Sequence, residues 1–298
     1  QLQSSAASDV YKRQSLHYQK NKLFFDHLDL EELSKGITTP FYLYSENLIK
    51  QNIKEYISQS NDKTLFCYSV KANSNLSILK LIASKGMGFD VVSMGELYRV
   101  IKAGCDTSKV VYSGVGKTRA EIRYALENNI LCFNVESEGE LFVINDEASA
   151  MGTTANISIR VNPDVAVESH PYISTGLKDN KFGITYKNAL TLYIKASKLS
   201  SLNIIGIDFH IGSQITSILP FIDSIKSIKS LVSDLKKENI NITHIDVGGG
   251  LGISYEGEDI VRKADYIKEI TDSLRDLNVN ILFEPGRSVI GDLSLIHI

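Results

Sequence analysis

Short runs of β-branched and aromatic residues alternate along the chain with longer stretches whose apolar positions recur every three or four residues. The runs lie at 64–73 (TLFCYSVKAN), 88–93 (GFDVVS), 110–114 (VVYSG), 131–137 (LCFNVES), 156–163 (NISIRVNP), 204–212 (IIGIDFHIG), 243–250 (THIDVGGG) and 281–287 (ILFEPGR). Between them, 75–86 predicts a helix with Asn75 as its N-cap and Gly86 as its stop. Another spans 217–239, where Ile222, Ile225, Ile228, Leu231, Val232 and Leu235 fall on one face. Eight strands alternating with helices over about 220 residues predict a (β/α)8 barrel. A further strand at 41–45 and a helix at 46–59 precede the first barrel strand. That helix would close the outer ring, because the pattern shows nothing helical after strand eight. A doubly wound open sheet uses the same alternation, but no GxGxxG turn follows the first strand.

Composition narrows the function classes. The chain has 298 residues, with 32 Lys+Arg against 35 Asp+Glu and a net charge of −3. That balance argues against a nucleic-acid or anionic-membrane partner, which would need a basic excess. Charged residues at 22% and no long polar tract exclude a disordered chain. Cys67, Cys105 and Cys132 are an odd count without zinc-ligand spacing, so they read as structural thiols in a reducing compartment. No window approaches the ~18 apolar residues of a membrane-crossing helix. The opening QLQSSAASDVYKRQ has no apolar secretory core. A soluble, cytoplasmic protein is expected.

Catalytic residues of such barrels come from the C-terminal ends of the strands. The unusual polar residues fall there repeatedly: Lys71, Asp90, Ser113, Glu136, Arg160, His210, Gly248 to Gly250, and Glu284 to Arg287. Alternation puts Lys71 on one face with Cys67 and Ser69. Inside a barrel its amine would lose hydration, its pKa would fall, and it would become a nucleophile for carbonyl chemistry. It reads equally as a strand-end lysine reaching out to water. His210 follows Asp208 by two positions, either as a hydrogen-bonded core histidine or as part of a site. Gly212, Ser213 and the 248–250 glycines offer donors to an oxyanion or phosphate. Glu284 ends an apolar strand and wants a cationic partner; the Pro285–Gly286 turn then presents Arg287, a forked donor for phosphate or carboxylate. A simple Glu284–Arg287 pair is the alternative. Asp90, Glu136 and Arg160 read as barrel-top ion pairs, or for Asp90 and Arg160 as site residues. No HExxH or GxSxG occurs, so metal and serine hydrolysis lack support.

An amine, a histidine, phosphate-type turns and a buried carboxylate together describe a pyridoxal phosphate site. YSVKANSN, GFDVVSMGEL, HPYISTGLKDNKFGI, GIDFHIGSQ, IDVGGGLGISY and FEPGR, in that order between about Leu23 and Asp292, resemble the barrel-fold, pyridoxal-phosphate-dependent amino-acid decarboxylases. Among them they look most like the diaminopimelate enzymes. The resemblance implies an alanine racemase/ornithine decarboxylase-type barrel in which Lys71 binds the cofactor aldehyde. His210 would stack on the pyridine ring and Glu284 would pair with its protonated nitrogen. Ser213, Gly249, Gly250, Gly286 and Arg287, with Pro285 in the same turn, would hold the phosphate, Arg287 also meeting a substrate carboxylate. Asp90 and Arg160 would orient lysine and cofactor. Alanine racemases use an arginine at the ring nitrogen, so Glu284 favours decarboxylation. The implied reaction converts meso-diaminopimelate to L-lysine and CO2 in bacterial lysine synthesis. An ornithine or carboxynorspermidine decarboxylase, or a non-catalytic pyridoxal phosphate carrier, is the alternative. The implied partner is a small amino-acid substrate; a homodimer with shared active sites is implied for the full-length protein.

The family continues into a C-terminal β-domain carrying a Cys-Glu-Ser segment and a substrate-binding Tyr, and that domain is expected to be largely missing here. Residues 1–14 and 293–298 do not match the family and read as junction sequence. Residues 15–36 would join the β-domain, and 37–292 would form the barrel. On this reading the 298-residue chain binds the cofactor weakly and lacks activity alone.

Overall fold

A computed structural model describes residues 16–163, 182–255, 257–291 and 294–297. The 1–14 segment and most of the HPYISTGLKDNKFGI motif lie outside these residues. The chain opens with a small antiparallel sheet, β1 (Leu16–Gln19), β2 (Lys22–Phe25) and β3 (Leu28–Asp29). Its first hairpin turns on Lys20 and Asn21, both with positive φ (50° and 62°), a geometry that matches the strand twist. Next come α1 (Leu30–Ser34), β4 (Phe41–Tyr44) and α2 (Glu46–Ile57).

The βα alternation then runs β5 (Thr64–Ser69), α3 (Leu76–Ser84), β6 (Gly88–Val91), α4 (Met94–Lys102), β7 (Val110–Tyr112), α5 (Arg119–Glu127), β8 (Cys132–Val135), α6 (Glu138–Ala150) and β9 (Ala155–Asn162). It continues through β10 (Ile184–Thr185), α7 (Tyr186–Ala196), β11 (Leu202–Asp208), α8 (Leu219–Lys237), β12 (His244–Asp246), α9 (Lys263–Leu274), β13 (Asn280–Phe283), α10 (Arg287–Ile290) and β14 (Ser294–His297). Strands β5, β6, β7, β8, β9, β11, β12 and β13 pair in parallel in that order. The β13–β5 and β8–β9 pairings leave no gap, so the sheet is a closed eight-stranded barrel. All eight barrel strands are where the hydrophobic runs placed them. β14 pairs antiparallel with β4, His297 opposite Phe41 and Ser294 opposite Tyr44.

Burial explains the composition of these strands. β6 and β8 are buried along their whole length, which requires near-continuous apolar runs instead of polar–apolar alternation. The outward residues, Ile157, Ile159, Val161 and Ile207 among them, pack on the helix ring in one continuous core. Four consecutive ring helices start on a side-chain cap, Asn75 for α3, Ser93 for α4, Thr118 for α5 and Ser137 for α6, whereas α7, α8 and α9 start without one. At α5 Glu121 reaches back to the cap backbone and completes a capping box. α2 does dock on the outer ring, but the expectation of nothing helical after strand eight is corrected by the single turn of α10. There the Tyr56 hydroxyl lies 2.6 Å from Ser288 Oγ and Asn52 Nδ2 donates to Val289 O at 3.2 Å.

Inside the barrel, Cys67, Val111, Cys132 and Leu282 form a separate small apolar layer. Above it lies a polar layer, recognisable because its hydrogen bonds join strands that are not neighbours. β11 carries a bulge between Ile204 and Gly206: Ile204 pairs with Ile157, yet Gly206 pairs with Ser158. Gly206 there faces the His244 ring so closely that a Cβ would stand 2.2 Å from Nε2. No helix among the described residues is long and apolar enough to cross a membrane.

Candidate active site

β5 ends at Ser69, and the chain turns at once into a 3-10 turn over Val70–Ala72. Lys71 sits in that turn, not on the strand, so the strand alternation that grouped it with Cys67 and Ser69 does not reach it. Its Nζ lies 2.6 Å from Asp90 Oδ2 at the end of β6, and Asp90 also accepts from Ser69 Oγ at 3.0 Å. Burial works to lower the lysine pKa, but the charges of Asp90 and Glu284 outweigh it and the net direction is upward. The expected free amine is therefore corrected: in the chain by itself Lys71 is an ammonium paired with Asp90. Burial would raise the Asp90 carboxyl, yet Lys71 and the surrounding hydroxyls bring it below the ordinary range.

Glu284 follows β13 and is 5% exposed. Its Oε1 accepts from Ser113 Oγ at 3.3 Å and from Asn134 Nδ2 at 3.5 Å. Oxygens of Glu284, Asp208 and Asp246 lie within 4.8 Å of one another. Burial, then Asp246, Asp90 and Asp208, push the Glu284 carboxyl well above the carboxylate range. The alternative Glu284–Arg287 pair does not form. Arg287 instead donates through Nη1 to the Tyr255 hydroxyl, its guanidinium 5.8 Å from that ring's centre.

His210 lies just beyond β11 and accepts from Gly249 N–H through Nδ1 at 3.2 Å. Burial, and then the charges of Arg160 and Lys71, hold its pKa down at about 3. The ring is thus neutral near pH 7, with its proton on Nε2. The glycine turn after β12 is bound to its neighbours at several points. Gly248 N–H donates to Asp246 Oδ1 at 2.9 Å, Glu284 N–H to Gly248 O at 2.8 Å, and Ile215 N–H to Gly250 O at 2.9 Å. A Cβ on Gly249 would meet Glu284 O at 2.3 Å, and one on Gly250, whose φ is +111°, would meet Gly212 O at 2.4 Å. Pro285 O receives Ser69 N–H at 3.1 Å and so ties the strand-eight turn to strand one.

Arg160 pairs with Glu136 at 2.8 Å and approaches Asp208 at 3.9 Å. Glu136 also accepts from Gly114 N–H at 2.7 Å, so the barrel-top ion-pair reading holds for these two residues. A cavity of about 240 Å³ opens among Lys71, His210, Ser213, Gly249, Gly250, Glu284, Gly286 and Arg287. Asp90, Arg160 and Pro285 are not part of its lining. A larger cavity of about 720 Å³, between α2 and residues 251–264, contains none of the expected site residues.

The sequence reading passed over Asn134 and Asp246, both fully buried in this polar layer. The available signal was polar residues in short strands flanked by apolar sequence, Asn134 in CFNV and Asp246 beside His244 in HID.

Residues 46–291 match the family model described as "Pyridoxal-dependent decarboxylase, pyridoxal binding domain". The diaminopimelate decarboxylase of Vibrio cholerae is 48% identical over 92% of this chain and 66% of its own length. That of Pseudomonas aeruginosa is 44% identical over 94% of this chain and 68% of its own. The crystal structure of the Helicobacter pylori diaminopimelate decarboxylase with L-lysine superposes with a TM-score of 0.86 at 43% identity, covering 90% of this chain and 68% of that one. The M. jannaschii enzyme, also with L-lysine, gives a TM-score of 0.88 at 37% identity over 94% and 68%. The chain spans about two thirds of the length of these relatives. With five sixths of its residues under the family model, the chain belongs to the pyridoxal-dependent decarboxylases.

Proposed function

We propose that this chain is the cofactor-binding barrel of a diaminopimelate decarboxylase, which removes one carboxylate of meso-diaminopimelate as CO2 and leaves L-lysine. The observation that carries the reading is the cavity of about 240 Å³, which gathers an amine, a buried carboxyl, a neutral imidazole and two glycine turns. Pyridoxal phosphate matches that set: an aldehyde needs the Lys71 amine, a pyridine nitrogen needs the Glu284 carboxyl, and a phosphate needs close backbone donors. The place of Gly249, Gly250 and Gly286 in the cavity lining supports the last point, since backbone without side chains lies against the space a phosphate would take.

When bound, the cofactor supplies an electron sink for the carbon that loses CO2. The residues of this chain do the rest. Asp90 holds the Lys71 amine in place and keeps its proton until a carbonyl arrives. His210, uncharged, offers a flat face without competing for the ring-nitrogen proton. Glu284 holds that proton at the nitrogen. Ser213, Gly249, Gly250, Gly286 and Arg287 hold the phosphate, and Arg287 meets a substrate carboxylate. Arg160, locked to Glu136 and 3.9 Å from Asp208, orients the site from the barrel top. The whole protein is read as a cytoplasmic homodimer with a small amino-acid substrate, divided as above into a 15–36 segment reaching toward a further domain and a 37–292 barrel.

Two measurements test this. Adding pyridoxal phosphate to the chain should produce visible absorbance that Lys71→Ala abolishes; an unchanged spectrum moves the attachment elsewhere. An amino-acid panel on the whole protein should release CO2 from diaminopimelate. Turnover of ornithine instead would overturn the substrate, and no CO2 from any amino acid would leave a carrier.

A further inference from the structure

The buried carboxyl of Glu284 is held by neutral donors contributed from the opposite side of the barrel. Asn134 is 0% exposed, and its Nδ2 reaches Ser113 Oγ at 3.0 Å, Glu284 Oε1 at 3.5 Å and Asp246 Oδ2 at 3.5 Å. Ser113 Oγ itself reaches Glu284 Oε1 at 3.3 Å. The far end of the amide is held as well: Ser158 Oγ donates to its Oδ1, and Cys132 Sγ lies 3.8 Å from the same oxygen. The Nδ2 end thus faces the acids. β8 and β12 are not neighbours in the barrel, so the Asn134–Asp246 contact crosses its interior.

We infer that Asn134, with Ser113, is a positioning residue that aims the Glu284 carboxylate at the cofactor's ring nitrogen without neutralising it. The chemistry decides between donor types. A lysine or arginine at this place would orient the carboxylate equally well, but it would cancel the charge that a ring proton needs. An amide and a hydroxyl orient by dipole alone and bring no cation of their own, so the buried acid stays free to ionise against a cation that enters the cavity. The same Nδ2 lies 3.5 Å from an oxygen of Glu284 and of Asp246, and so offers one neutral donor to two acids that face each other. The inference rests on the proposed pairing of Glu284 with the ring nitrogen.

The test uses the chain loaded with pyridoxal phosphate labelled with 15N in the ring, reading the nitrogen's chemical shift near pH 7. The unchanged chain should show a protonated nitrogen, and Glu284→Gln should move it toward the unprotonated range. Asn134→Ala and Ser113→Ala should each move it the same way, because a carboxylate that loses a donor becomes a stronger base and draws the proton to itself. Their affinity for the cofactor should weaken by about tenfold, the effect of one hydrogen bond to a charged group. Ser113→Ala removes only a hydroxyl and guards against a misfolded Asn134→Ala. If Glu284→Gln shifts the nitrogen while both donor variants match the unchanged chain, the inference falls and the pairing stands. A nitrogen unmoved by Glu284→Gln overturns the pairing itself, and the inference with it.

Discussion

Asp246 shows how a single residue in this barrel trades stability for position. It is fully buried, receives the Gly248 N–H, and faces Asp208 and Glu284. Burial holds its pKa up at about 6, against an ordinary value of 3.8. Between those values the folded chain binds more protons than the unfolded one, so stability is lost as pH rises through the window and stays lower above it. Asp246→Asn keeps the oxygen that receives Gly248 N–H but carries no charge. Its melting temperature should nearly match the unchanged chain near pH 4 and exceed it above about pH 6.5, by an amount worth about 1–3 kcal/mol. A difference that does not vary with pH would remove the charge from the explanation. His244 works in the opposite sense: burial lowers its pKa to about 4, so its contribution is lost as pH falls below about 6.5. Residues at strand ends, such as Lys71, His210 and Glu284, were legible in the sequence because a barrel's chemistry collects there. Asn134 and Asp246 were not, because their meaning lies in contacts across the barrel. The ionisation of Lys71 was misread for the same reason: Asp90 arrives from the next strand, 19 residues away.

Strand identity and order were legible because eight apolar runs of similar length leave a closed barrel as a simple solution. What the runs did not reveal is local deviation from ideal strands, the 3-10 turn at Lys71 and the bulge at Ile204–Gly206. Nor did they reveal the one-turn α10, which is too short to show periodicity. The bulge has a measurable consequence. Gly206 touches the His244 ring, and a Cβ at 2.2 Å forces a buried imidazole to move. Gly206→Ala should lower the urea midpoint, at unchanged slope, by an amount worth about 1–3 kcal/mol. His244→Ala should suppress most of that cost in the double variant, since the colliding partner is gone. Equal cost in both backgrounds would place the strain elsewhere.

At the scale of the molecule, the closed barrel and its appendages differ in protection. β6 and β8 are buried throughout, whereas β1 is exposed or half-exposed along its whole length. Hydrogen exchange followed by mass spectrometry should therefore label peptides from 16–29 early and those from 88–91 and 132–135 last. Simultaneous labelling would mean that the small sheet and the barrel open as one unit. The β4–β14 ribbon joins the stretch entering the barrel to the stretch leaving it, with Phe41 opposite His297. Pulling outward on those two residues peels the ribbon one pair at a time, because both handles sit at the same end of an antiparallel pair. The same force passed on to β5 and β13 meets parallel strands gripped at opposite ends, where the bonds must slide together and break at once. The ribbon would thus yield softly while the barrel resists as a block, giving the molecule a mechanical fuse in series with a rigid load.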